Sequence, residues 1–424
     1  MKPGIWTYTS FHQDKFAEDN PDLFVTDDEE NPAYGRWVGY SIDGSNSDAI
    51  DKIIRPIYQG FRNMGWQYFK VDALRHLRYE GYNSHADYFN NKNTSLVEAY
   101  RNVVSAIRKE IGPDNFMLGC WGIRPELIGI IDGCRIGGDG YGYSGLAQFN
   151  SFNNVIWRND PDHIELSEKE AYRSCMVTSL TGSLFMLTDK PEVYLTDRIE
   201  PAKRCIPVLF TVPGQIYDVD PSRSMNIDRV DSEISGDGQR IFDGGIESPY
   251  NLFLLEIKKP YEYWIVLGRT REKEKDIAFM DVGLNPLDDY HIFEFWSKTY
   301  LGAFSKRFEP GSINPKYNCQ LFCLRKKQDH PQFLASNRHI SCGGLEVKDL
   351  YWEGNRLGGI SELVGHDPYE LYIYEPERYS LQKYTFEGAE LTGTLKKGRI
   401  RVFKLLSDSS GPLEWKIIYT LLRK

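Results

Sequence analysis

Two aspartates stand where strand-end chemistry needs them. Asp72 closes the stretch Gly65-Trp66-Gln67-Tyr68-Phe69-Lys70-Val71-Asp72, and Asp139 lies just beyond Cys134-Arg135-Ile136. A buried strand that delivers a carboxylate to its carboxyl end is how barrel enzymes present catalytic acids. A carboxylate pair is the machinery of glycoside hydrolysis. Retaining enzymes hold the two about 5–5.5 Å apart, and inverting ones about 6.5–9.5 Å apart to admit a water. Strands two steps apart suit either spacing, so pattern alone does not choose. Each aspartate also has a bland reading, because Asp is common as an N-cap or loop carboxylate where a strand turns toward a helix.

The neighbours favour chemistry. Lys70 shares a strand face with Asp72 by the period of two, which sets a cation beside the carboxylate and favours its charged form. Arg135 precedes Asp139 by four residues and is placed to anchor hydroxyl groups. An acid/base residue needs the opposite treatment, a proton affinity raised by partial burial or by a nearby negative charge.

These residues require elements to hold them. Residues 1–220 repeat a short apolar strand, a polar loop and a helical pattern. Strands are expected at Lys2–Trp6, Trp66–Val71, Phe116–Cys120, Cys134–Ile136, Val155–Trp157 and Ser183–Leu187. Helical spacing runs through Ile50, Ile53, Ile54, Ile57, Phe61 and Met64, closed by Gly65. It recurs through Leu96, Tyr100, Val103, Val104, Ile107 and Ile111, closed by Gly112-Pro113. A short helix is expected through Glu126–Ile130, a capping box at Ser167-x-x-Glu170, and a last helix from about Pro201 to Phe210. Alternating strands and helices predict an α/β chain built as a (β/α)₈ TIM-type barrel, yet six strands are two short of closure. Residues 221–424 change character, with short alternating strands such as Tyr263–Leu267, Leu371–Tyr374, Arg399–Lys404 and Trp415–Tyr419. They predict a C-terminal antiparallel β-sandwich domain.

Bulk composition narrows the partners. The 424 residues suffice for two domains, and a net charge of −9 supplies no basic surface for nucleic acid or an anionic membrane. No apolar run is long enough to span a bilayer, and no secretion signal follows Met1. The compartment stays open, a secreted or periplasmic full-length form included, as does oligomeric state. Aromatic residues reach 14%, which suits stacking on flat sugar faces but equally suits the inside of a β-sandwich. The seven cysteines are scattered without zinc spacing and read as buried free thiols. Dispersed histidines argue against a metal site, and nothing calls for a cofactor.

Five segments then resemble, in order and spacing, the retaining α-galactosidase clan, glycoside hydrolase families 27 and 36. Tyr68-Phe69-Lys70-Val71-Asp72 resembles its fourth-strand nucleophile motif. Cys134-Arg135-Ile136-Gly137-Gly138-Asp139 resembles its acid/base motif. Pro3-Gly4-Ile5-Trp6 is similar to the third strand, Trp157-x-Asn159-Asp160-Pro161-Asp162 to the seventh, and Thr181–Asp189 to the eighth. The resemblance implies that Asp72 is the nucleophile and Asp139 the acid/base. It also implies that Lys70, Arg135, Trp6 and Trp121 bind an oligosaccharide or glycan. Core packing is an equal reading for Trp121, while Asp160, Asp162 and Asp189 are expected to hold strand-end loops together.

Family members carry two βα units before the Pro-Gly-Ile-Trp strand, the second with acidic residues that grip galactose. These have no counterpart here, so the expected barrel is incomplete, with strands 3–8. Gly119-Cys120-Trp121-Gly122 also lacks the glutamate of family 27 and the glycine run of family 36, which leaves the sugar open. The expectation is a retaining α-galactosidase-like glycosidase. An α-galactosyl transglycosylase, or an impaired fragment retained as a sugar-binding remnant, stands as the alternative.

Overall fold

The computed structural model describes residues 2–120, 123–136, 139, 150–209, 211, 216–218, 252–272 and 275–422. Two compact units emerge, one holding the described residues through His163 and the other those from Ile164 onward.

The first unit is built on a five-stranded parallel sheet. Its strands are β1 (Gly4–Tyr8), β2 (Tyr68–Asp72), β3 (Phe116–Gly119), β4 (Gly133–Arg135) and β5 (Arg158–Asp160), paired in sequence order. Register pairs Tyr8 with Asp72, Val71 with Gly119, Gly119 with Cys134, and Arg135 with Asp160. Main-chain bonds continue past the strand ends. Thr9 N–H donates to Asp72 O (3.0 Å), Cys120 N–H to Val71 O (2.8 Å) and Ile136 N–H to Asp160 O (3.0 Å). The ends of β2, β4 and β5 therefore lie on one transverse rung. The sheet is open at β1, so the described residues display a parallel sheet rather than a closed barrel.

Two helices cover the sheet's apolar face. The first, α1 (Arg55–Asn63), continues a turn begun at Ser47–Ala49, where Asn46 accepts the Asp48 N–H at 2.9 Å. Between them, Ile50–Ile54 is a π-turn. Pro56 is the physical reason: it has no N–H to give to the carbonyl four residues back, and widening the preceding turn accommodates it. The widened turn also shifts the phase of the apolar stripe. Ile53, Ile54 and Tyr58 are buried, whereas Ile57 and Met64, expected on the core face, are exposed. The second helix, α2 (Leu96–Ile111), follows its predicted face. Ser95 and Glu98 form a capping box, and Gly112 ends the helix at φ +83°. Ala99, Tyr100, Val103, Val104, Ile107 and Ile111 join Phe69, Val71 and Met117 in one core.

Other expectations shift. The strand predicted at Val155–Trp157 forms three residues later, at β5, because Val155 is solvent-exposed and Asn154 turns the chain at φ +57°. Ser183–Leu187 yields only the two-residue strand Met186–Leu187, outside the parallel sheet. The Glu126–Ile130 helix reduces to a single 3₁₀ turn, Pro125–Leu127.

In the second unit, α3 (Ala171–Leu180) begins at Glu170 without a side-chain cap, so the Ser167 capping box does not form. Instead, the Leu166 and Ser167 amides donate to Asp189 at 2.7 and 3.1 Å. Helix α4 is Glu200–Cys205. Antiparallel sheets make up the rest. Two of them have four strands each: one joins Gln332–Ser336, Tyr369–Tyr374, Ile400–Leu406 and Glu390–Lys397, and the other Val347–Glu353, Arg356–Leu363, Gly411–Leu421 and Tyr379–Glu387. Alternate residues Leu413, Trp415, Ile417 and Tyr419 of the second sheet meet Leu371, Ile373, Phe403 and Leu405 of the first in one core. All seven cysteines are buried free thiols.

Candidate active site

Strand β2 alternates as its sequence demands. Phe69 and Val71 are fully buried toward the helices, while Tyr68, Lys70 and Asp72 share the opposite, partly accessible face. Immediately after Asp72 the chain turns sharply, because Ala73 adopts the left-handed conformation at φ +61°. Such a backbone is uncommon for a residue with a Cβ. The turn brings the Ala73 N–H onto Asp72 Oδ1 at 2.7 Å. The other oxygen, Oδ2, accepts the Trp6 indole N–H at 3.1 Å. Both oxygens are thus held by fixed donors. Trp6 itself stays 56% exposed, with Tyr8 packed 5.0 Å away.

A second cluster forms around Arg135 at the end of β4. Its side chain is 2% exposed, and Nη2 lies 3.0 Å from Asp139 Oδ1 and 3.2 Å from Asp162 Oδ2. Burial opposes the guanidinium's charge, but the carboxylates of Asp162, Asp160 and Asp139 outweigh it and raise its proton affinity. Lys70 Nζ pairs with Asp162 Oδ1 at 3.6 Å, so its ion-pair partner is the carboxylate beyond β5 rather than Asp72 on its own strand. Asp162 also meets His163 Nδ1 at 3.3 Å. Asp139 is the open member of the group, its side chain 88% exposed.

Two further residues complete the surroundings. Burial pushes the Asp160 carboxyl up to about 6, although Lys70 and Arg135 pull the other way. Its Oδ1 accepts the Asp162 N–H at 2.8 Å, and its Oδ2 has no hydrogen-bond partner among the described residues. Cys120, following β3, has its Sγ 3.8 Å from Arg135 Nη1. Burial and the Asp72 carboxylate drive its thiol strongly upward, so it stays protonated and offers no competing thiolate.

Exposed rings gather on the loop that follows β1. Trp37 stacks on His76 at 5.6 Å, and Glu80 Oε2 accepts the Trp37 and Val38 amides at 2.8 and 3.1 Å. A cavity of about 270 Å³ runs along the outer edge of β1, lined by residues including Trp6, Tyr8, Ile57, Tyr58 and Phe61. Asp72 and Arg135 do not line it. Among the described residues no cluster of His, Cys, Asp and Glu is arranged to hold a metal ion.

The expected site residues thus fall into two groups. Trp6 joins Asp72, and Lys70 joins Arg135 and Asp139 through Asp162. Trp121 lies outside the described residues. Asp162 is the residue whose role the sequence understated. The signal available was its place just beyond a strand end whose neighbours also carry charged residues.

No known protein-family model matches the sequence. Among solved structures, the chain is similar to α-galactosidase I from Mortierella vinacea at 11% identity and a TM-score of 0.44, covering 76% of each chain. It is also similar to a GH27 β-L-arabinopyranosidase from Geobacillus stearothermophilus, crystallised with arabinose, at 12% identity and a TM-score of 0.47. That match covers 77% of this chain and 75% of the other. The GH36 α-galactosidase AgaA from Geobacillus stearothermophilus matches at 12% identity and a TM-score of 0.46, over 77% of this chain and 45% of its own. The solved structures that this chain resembles include GH27 and GH36 enzymes.

Proposed function

We propose that the chain is a retaining glycoside hydrolase for terminal α-galactosyl or related α-glycosyl residues. The observation that carries this reading is the strand-end carboxylate of Asp72, with both oxygens held by fixed donors beside the Lys70–Asp162–Arg135 array. In the first step an Asp72 oxygen attacks the anomeric carbon and the bond to the leaving oxygen breaks. Asp139 gives its proton to that oxygen, leaving a glycosyl ester on Asp72. In the second step Asp139 takes a proton from water, whose oxygen displaces Asp72 and releases the sugar. A sugar acceptor in place of water would give transglycosylation from the same intermediate. Lys70 and Arg135 bind ring hydroxyls, and the exposed Trp6 indole offers an apolar face beside the nucleophile.

The test compares hydrolysis of p-nitrophenyl α-galactoside by wild type and Asp72→Ala. The expected outcome is a loss of about 10³-fold or more in kcat, the cost of removing a covalent nucleophile. Equal activity in the two would end the nucleophile assignment.

The solvent exposure of Asp139 favours a second reading, sugar binding without turnover, because acid catalysis needs the carboxyl fixed against the leaving oxygen and an exposed side chain is not so held. Saturable galactose binding by a wild type that hydrolyses no α-glycoside would select it.

A further inference from the structure

Lys70 on β2 and Arg135 on β4 are separated by β3, and two cations aimed at one site repel each other unless an anion lies between them. Asp162 is that anion. One oxygen reaches Lys70 Nζ at 3.6 Å and the other Arg135 Nη2 at 3.2 Å, with the carboxylate side chain 8% exposed. Its backbone is turned to φ +75°, a left-handed conformation that few residues other than glycine adopt. Its N–H is already fixed on Asp160 Oδ1 at 2.8 Å. The loop is therefore tied by main chain, and the carboxylate is directed at cations on two other strands. Among the described residues, charged and titratable groups near this pair include Lys70 and Asp72 on β2, Cys120 after β3, Arg135 and Asp139 at and beyond β4, and Asp160 and His163 beside Asp162 itself.

We propose that Asp162 is a positioning residue that sets the spacing of the Lys70 ammonium and the Arg135 guanidinium, so that both address one sugar ring. The proposal rests on the glycosidase reading for its kinetic consequences but not for its geometry.

Asp162→Asn keeps the size and one acceptor oxygen while removing the charge. KM for an aryl α-galactoside should rise about tenfold or more, with kcat changed by less than about threefold, the signature of lost binding rather than lost chemistry. Adding Lys70→Met to that variant should then cost less than about twofold more, because residues acting through one contact are not additive. An unchanged KM, or effects that multiply, would overturn the proposal. A readout independent of turnover is the Arg135 Nε–H signal in ¹⁵N-arginine-labelled protein, assigned with Arg135→Lys. It should shift and exchange faster with solvent in Asp162→Asn, and an unchanged signal overturns the proposal. Should Asp162→Asn not fold, the same signal is read in Lys70→Met, where a shift supports coupling through Asp162 and its absence refutes it. If wild type hydrolyses no glycoside, the glycosidase reading fails by itself and the Arg135 signal still decides.

Discussion

At the scale of single residues, the site is a problem of where to keep protons. Asp160 is fully buried, and burial pushes its carboxyl from an ordinary 3.8 to about 6 against the pull of Lys70 and Arg135. The folded value lies above the unfolded one, so the unfolded chain releases its proton first as pH rises. The group's stabilising contribution is complete below about pH 4 and is lost as pH rises through about 6. Asp160→Asn remains neutral throughout. Its stability relative to wild type should therefore improve between about pH 4 and pH 7, by on the order of 3 kcal/mol at most. Urea melts across that range check this, and a difference independent of pH would refute it. That Asp72 and Lys70 share a strand face was legible in the sequence, because an alternating strand dictates which side chains lie together. The partner of Lys70 was not, because it arrives from a strand about ninety residues later in the chain, and no local periodicity encodes that meeting.

At the scale of elements, legibility followed how well each segment obeyed its own period. Helix α2 was readable in its face and its end, since its apolar residues keep one helical face and Gly112 closes it, while the Ser95–Glu98 capping box that opens it was not singled out from the sequence. Ser95→Ala should cost about 0.5–2 kcal/mol in chemical denaturation, the usual worth of an N-cap. A change below about 0.3 kcal/mol would show that the capping box adds nothing here. Helix α1 was readable in extent but not in phase, because Pro56 and the π-turn before it rotate the stripe away from the core. Strand β5 was misplaced for a related reason. Arg158-Asn159-Asp160 is polar, while the apolar Val155-Ile156-Trp157 just before it imitates a strand. At both places the tertiary structure overrides the local pattern. The missing Ser167 cap makes the same point, since those amides are satisfied instead by Asp189, a residue distant in sequence.

At the scale of the molecule, the first unit has a core around α1, α2 and the parallel sheet, and the second has one core between paired antiparallel sheets and another that gathers Leu254, Leu267, Ile292 and Phe322. The antiparallel unit was the easier to read, because within strands such as Gly411–Leu421 the stretch Leu413–Thr420 alternates between buried and accessible positions. Barrel closure was the harder matter, since it depends on strands meeting rather than on any one strand's composition. Trp415 is fully buried in the core between the paired antiparallel sheets. Trp415→Ala should destabilise that unit by about 3–5 kcal/mol, seen in calorimetry as an earlier transition. Because the residue belongs to a core of the second unit, kcat per folded molecule should match wild type, and a fall in kcat at full folding would contradict that separation.

The rung at the top of the parallel sheet has one more consequence. The amides of Thr9, Cys120 and Ile136 bond to the carbonyls of Asp72, Val71 and Asp160, so the sheet's last main-chain links and the site's scaffold are the same bonds. Fraying of a strand end elsewhere in a protein is harmless. Here a brief opening of one strand tip would dissolve the alignment of the carboxylates while the rest of the molecule stayed folded. If the proposed site is used, its alignment is exposed to local opening at three amides as well as to global unfolding.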